Sequence, residues 1–160
     1  MVLRRCNFIV VSDAGCDGEF KFEDLGGAIR KIRIDMGIPI EFDKLPRLYP
    51  RSQSKTGKKG RYAALGRIRY SEADGTDPRD DGWLLYIKPA IYGNEPRDVV
   101  QYAKSSEEFP HETTADQFFS ESQFESYRAL GLYEVEQILN YWPGGSFSHL
   151  AHHVDTVYLA

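Results

Sequence analysis

The apolar positions of this chain follow two periods, and the change from one to the other divides it into elements. Cys6-Asn7-Phe8-Ile9-Val10-Val11-Ser12-Asp13 is a β-branched run closed by a polar turn. Hydrophobes pointing to both faces predict a central, buried strand of a parallel sheet. The period then lengthens. Phe22, Leu25, Ala28, Ile29, Ile32 and Met36 recur at helical spacing, while Lys21, Arg30, Lys31 and Arg33 lie off the stripe. Gly37 supplies a C-cap, with Pro39 beyond it. Ile38 to Phe42 reads as a second strand. Strand, helix and strand together make a βαβ unit, the mark of an α/β sheet.

Further on, Tyr62, Ala64, Gly66, Ile68 and Tyr70 share one face of a predicted strand, and Arg61, Arg67 and Arg69 line the other. Trp83 to Lys88 is its hairpin partner, bounded by Pro89. The acidic stretch between them, Glu72 to Gly82, reads as a disordered, solvated loop. Pro96 suits the first position of a helix over Arg97 to Lys104. Thr114-Ala115-Asp116-Gln117 has the form of a capping box. A long helix follows through Phe118, Phe124, Tyr127, Leu130, Ile138 and Leu139, bent near Gly131 and closed by Pro143-Gly144-Gly145. The reading is one domain over 1–160: strand-helix-strand at 1–43, a basic loop at 44–61, a hairpin at 62–91 and helices at 96–142. A strand this close to Met1 has no earlier segment to cover it, which suggests the C-terminal fragment of a larger protein.

Composition narrows the classes without naming an activity. The 160 residues carry 41% hydrophobic and 28% charged side chains, as a globular chain does. No run approaches the roughly 18 apolar residues of a membrane-spanning helix, and no signal-peptide stretch follows Met1 to Arg5. Two cysteines make neither a disulfide framework nor a four-ligand zinc site, so a cytoplasmic setting is expected. The net charge of −4 hides a segregation: Lys44 to Arg69 holds nine basic and no acidic residues, leaving −13 elsewhere. Lys55, Lys58, Lys59 and Arg61 could meet an anionic membrane surface or nucleic acid. The plainer reading is two solvated loops of opposite sign that attract weakly. The aromatics sit at core spacing and do not imply stacking on bases.

Several side chains are candidates for chemistry. Asp13 and Asp17 stand at a strand's C-terminal tip, where α/β sheets gather ligands. They could bind Mg²⁺ or phosphate, or Asp13 could act as a base, but no glycine-rich phosphate loop accompanies them; a turn or capping role is the alternative. The acidic loop fails as an EF-hand, because Arg79 and Lys88 fall where acidic ligands belong. His149 and His153, four apart, could share a helix face toward zinc, or belong to a terminal surface segment. Cys16 reads as a turn thiol rather than half of a Cys-His pair. His111 and Glu112 should order the turn before the capping box.

Three blocks carry a resemblance. Val11 to Asp17 with Phe22 to Gly26 and Ala28 to Asp35 is the first. Ala64 to Tyr70 with Leu85 to Pro89 is the second. Phe109-Pro110-His111-Glu112-Thr113-Thr114-Ala115-Asp116-Gln117-Phe118-Phe119, continued by Glu121 to Arg128, is the third. In this order they resemble the C-terminal region of large bacterial patatin-like proteins, over roughly Leu3 to Leu132. The resemblance implies a lipid acyl hydrolase of three-layer α/β architecture, with no cofactor and with membrane association through the parent protein. It implies a Ser-Asp dyad on a G-x-S-x-G elbow and a D-G-G turn, both upstream of these blocks. The nearest elbow here, Gly144-Gly145-Ser146-Phe147-Ser148, lacks the last glycine, and Asp13-Ala14-Gly15 has Ala in the Asp turn. The implied role is therefore a structural portion, inactive alone, whose partner is an upstream patatin-like catalytic segment.

Overall fold

The computed structural model describes residues 1–43, 47–53, 60–113, 115 and 117–160. A 3-10 turn at Val2–Arg4 leads into strand β1, Phe8–Ser12. Helix α1 spans Glu23–Met36, and β2 spans Ile40–Phe42. Gly37 stops α1 as its sequence predicts: it adopts the left-handed conformation at φ 68° and its N–H donates to Arg33 O. Strands β3 (Ala63–Ile68) and β4 (Gly82–Ile87) form the expected antiparallel hairpin, with the short helix α2 (Tyr70–Asp74) between them. Helices α3 (Arg97–Ser105), α4 (Glu121–Ile138) and α5 (Phe147–His153) follow, and α5 runs into a π-helical turn at Val154–Tyr158.

The result is a mixed α/β fold on a four-stranded sheet of order β1-β4-β3-β2. β1 is parallel to β4, while β4, β3 and β2 are successively antiparallel. β1 and β2 therefore run the same way at opposite edges, and α1 spans the hairpin inserted between them. Ile29, Ile32 and Met36 of α1 pack on Ile9, Ile40, Ile68 and Leu84 on one face. Leu150, Ala151, Val154 and Leu159 cover Ala63, Leu65 and Leu85 on the other. Among the described residues no helix is long and apolar enough to cross a membrane.

Five expectations need correction. β1 is parallel, as predicted, but it is an edge strand: β4 pairs on one side only, and Val10 and Val11 are 49% and 38% exposed. β3 has no arginine face; Ala63 and Leu65 are buried beneath the C-terminal helix, and only Arg67 lies out over Trp83. The acidic stretch is ordered rather than a loose loop. It forms α2 and a 3-10 turn at Pro78–Asp80, anchored by the buried Asp81, which meets Arg67, Arg69 and the Ser71 N–H. α4 begins later than predicted, at Glu121, because Ser120 is its N-cap and accepts from Gln123 N. Thr114 and Asp116 of the expected capping box lie outside the described residues. Last, the segment after Gly145 is no surface tail: α5 buries Leu150, Ala151 and His153.

Smaller differences follow the same logic. Pro96 is the N-cap of α3 rather than its first turn residue. α4 passes Gly131 as one continuous helix and ends at Ile138, before the Pro-Gly-Gly turn.

Candidate functional site

The parallel pair positions the site. Ser12 stands opposite Ile87 in the register, so the next residues, Asp13 and Lys88, emerge side by side at the strands' C-terminal ends. Asp13 N donates to Ile87 O at 2.9 Å and fixes that alignment. Open α/β sheets place ligands at this end. Here it bounds a cavity of about 390 Å³ lined by Asp13, Asp17, Lys21, Glu23, Asp24 and Lys88.

Lys88 is 1% exposed. Its Nζ lies 3.3 Å from Asp13 Oδ2 and 3.7 Å from Asp17 Oδ2, and 5.7 Å from the centre of the Phe20 ring. Asp13 also accepts from the Tyr86 hydroxyl and, at 3.0 Å, from Gly15 N. Burial works against its charged form. The bonds from Tyr86 and Gly15 and the charge of Lys88 outweigh burial, so the Asp13 carboxyl lies below the ordinary range. Burial, followed by the bond to Asp13, pushes the Tyr86 phenol up. A general base works best with a pKa near the working pH. Asp13 is held on the wrong side of that optimum, and its oxygens are already engaged.

Asp17 accepts from Lys21 N at 2.8 Å and Phe22 N at 2.9 Å, and so caps the chain where it enters α1. That entry is strained, since Phe20 and Phe22 both sit at positive φ. Phe20 meets His111 edge to face at 5.0 Å, which brings the third sequence block onto the same site. His111 is 7% exposed. Its Nδ1 lies 3.4 Å from Gly15 O, an oxygen that can only accept, so Nδ1 carries the proton. Nε2 is then the lone-pair nitrogen, buried without a partner. Burial lowers the His111 pKa and keeps the ring neutral at pH 7.

Glu112 ties the neighbouring helices together. It accepts from Ser106 Oγ at 2.6 Å, Tyr102 Oη at 3.3 Å and Gln123 Nε2 at 2.8 Å, joining the end of α3 to the start of α4. Glu112 thus supplies the side-chain bonds that order this segment, whereas the His111 ring faces Gly15 and Phe20 instead.

Of the residues singled out from sequence, the fold brings Asp13, Cys16, Asp17 and His111 to one place. Cys16 is exposed beside them, and no hydrogen bond joins it to His111 among the described residues. Ser146 Oγ caps α5 by accepting from His149 N. His149 is exposed while His153 is buried, and no group of three metal-ligating side chains exists among the described residues. In place of a cation between Asp13 and Asp17 the fold supplies the Lys88 amine. Lys55, Lys58 and Lys59 lie outside the described residues. Arg61 rests over the Tyr158 ring at 5.2 Å and donates to Ala160 O at 3.4 Å.

Sequence reasoning missed Lys88 and Tyr86. Their signal was present: a lysine directly after an apolar run and before Pro89 marks a strand tip. Only the parallel register shows that this tip faces Asp13.

Searches against protein-family models, curated proteins and solved structures returned no match. The functional reading therefore rests on the chain itself.

Proposed function

We propose that this chain is the C-terminal, sheet-completing portion of a patatin-like lipid acyl hydrolase, and that it hydrolyses no ester by itself. The observation that carries this reading is the outer edge of β1. It is unpaired among the described residues, it exposes Val10 and Val11, and it belongs to the parallel half of the sheet. A free apolar strand edge is a template for a further strand. Helices on both faces of the sheet fit a three-layer architecture that would extend across that edge. The three sequence blocks behind the resemblance also converge on one place, where Asp13, Lys88 and His111 meet around the 13–20 turn. There Asp13 is bound to Tyr86, Gly15 and Lys88, and no serine hydroxyl reaches it among the described residues. This is the geometry of a braced strand tip, not of a nucleophile and its base.

The test pairs the purified chain with a patatin-like segment that carries a G-x-S-x-G elbow and a D-G-G turn. The chain alone should not turn over short acyl esters, and the two should co-purify. Val10→Lys with Val11→Lys should abolish the complex while leaving the chain folded, because edge charges block strand addition. Turnover by the chain alone that disappears in Asp13→Ala would sink the reading. So would a stable monomer that captures no catalytic segment.

A further inference from the structure

A second cavity, of about 510 Å³, opens where the start of β3, the turn after β4 and the ends of α4 and the π-helical turn meet. That volume lies within the usual span of small-ligand pockets. Its walls are tyrosines. Tyr62 packs on Tyr92 at 5.2 Å and on Tyr133 at 5.8 Å, and Tyr158 and Tyr141 complete the lining. Three of the hydroxyls are turned to internal work. Tyr62 Oη donates to Glu95 at 2.8 Å, Tyr92 Oη donates to Arg61 O at 2.9 Å, and Tyr158 Oη accepts from Tyr62 N at 2.6 Å. What those rings offer a ligand is therefore carbon surface. The close seating depends on Gly60, where a Cβ would stand 2.2 Å from the Tyr92 ring.

The rim is different in kind. Asn94, Gln137 and Asn140 border the cavity, and their side-chain amides have no partner among the described residues. Each amide offers both donors and an acceptor. No carboxylate side chain lines the cavity among the described residues: Glu95 and Glu134, behind the tyrosines, are 6% and 2% exposed. Among the described residues the charged lining side chain is Arg61, whose Nε is buried without a partner. Tyr141 is 85% exposed at φ 64°, a conformation unfavourable to a bulky residue. Strain of this kind collects at ligand clamps.

We propose that this groove binds a neutral sugar ring. A pyranose has an apolar C–H face that suits a tyrosine wall and a rim of hydroxyls that both donate and accept, as the free amides require. A quaternary ammonium also suits aromatic rings, but it would face the Arg61 cation, and no carboxylate side chain lines the cavity among the described residues. The site is separate from the strand tip and does not depend on the hydrolase reading.

The full chain, ¹⁵N-labelled, is titrated with galactose, lactose, maltose and cellobiose. In parallel it is sedimented with phosphatidylcholine vesicles that contain or lack a galactolipid. Shifts of the Asn94, Gln137 and Asn140 side-chain amides with a free sugar, at a dissociation constant on the order of 1 mM, support the proposal with a soluble ligand. Binding confined to the galactolipid vesicles supports it with a lipid-borne one. In either case Asn140→Ala and Tyr141→Ala, both at exposed positions, should weaken binding roughly tenfold with unchanged near-UV circular dichroism. The proposal is overturned if neither source binds, if tetramethylammonium binds as well as the sugars, or if both variants bind like the parent.

Discussion

Two groups of carboxylates, one half-buried and one buried, show how differently one fold can hold the same chemical group. At the strand tip, Asp13 receives Tyr86, Gly15 N and the Lys88 amine, and its carboxyl lies below the ordinary range. Beneath α4, Glu134 is 2% exposed and accepts from Ala90 N at 3.0 Å. Its neighbour Glu95 accepts from Tyr62 Oη, Tyr92 N and Gly93 N. No ion pair reaches either glutamate among the described residues. Burial, reinforced by the charge of Glu95, holds the Glu134 carboxyl well above the ordinary range. The difference is the cation. Only the first contains a lysine, and there the Asp13 carboxyl lies below the ordinary range while Glu134 lies well above it.

Removing that cation should give the largest effect. Lys88→Met leaves Asp13 and Asp17 facing each other at a half-buried strand tip. Because both carboxylates keep some contact with water, losing the cation should cost about 2–3 kcal/mol, less than the full penalty of a buried pair, read as a lower urea midpoint at unchanged slope. Asp13→Asn added to Lys88→Met should recover part of the loss, since the charge left unpaired is then gone. If the double variant loses the sum of the two single losses, Lys88 acts by packing rather than by charge.

The sequence shows this contrast unevenly, and the reasons are physical. Local signals were sound. The stripe of Leu25, Ile29, Ile32 and Met36, the stop at Gly37 and the β3–β4 hairpin all appear where periodicity puts them. Asp13 and Asp17 are also legible, because a polar turn after a β-branched run is a local pattern. What periodicity cannot give is the neighbour across the sheet. β1 looks central because its residues are apolar on both faces, yet only β4 pairs with it. Lys88 lies 75 residues from Asp13 along the chain, and their meeting depends on a parallel register that no local window contains. The acidic stretch looked solvated because its charges dominate the sequence, while the one that matters, Asp81, is buried against two arginines from β3 and just beyond it. Glu134 gave no signal at all: a glutamate in a helix reads as surface until the helix is seen packed on the turn after β4.

Neutralising the second site should have the opposite sign from neutralising the first. Glu134 has a folded pKa above its unfolded value. The fold is therefore favoured below the unfolded pKa, about 4.3, and loses stability as pH rises toward the folded one. Glu134→Gln keeps an oxygen to accept from Ala90 N and removes the titration. It should raise stability at pH 7 to 8 by about 1–2 kcal/mol and flatten the decline above pH 4.3. Thermal melts from pH 4 to pH 8 read both. A variant less stable than the parent at pH 8 would mean that Glu134 is held charged by a cation, and the contrast between the two sites would fail.

The smallest effects come from the two tyrosines, and they separate the sites most cleanly. Tyr86→Phe deletes one donor to Asp13, and Tyr62→Phe deletes one donor to Glu95. Each acceptor keeps two other partners, so each change should cost only about 1 kcal/mol. Their pH signatures should differ. The lowered Asp13 pKa supplies stability that is present above the unfolded value, about 3.9, and disappears as pH falls through the folded value. Without Tyr86 the folded pKa rises toward the unfolded one. The acid limb then carries a smaller loss, and the variant's deficit shrinks as pH drops from 5 to 2. Tyr62→Phe should leave the Asp13 contribution to that limb unchanged. Urea midpoints for the parent and both variants across this range make the test, and equal behaviour of the two variants would show that Tyr86 supports Asp13 by shape alone.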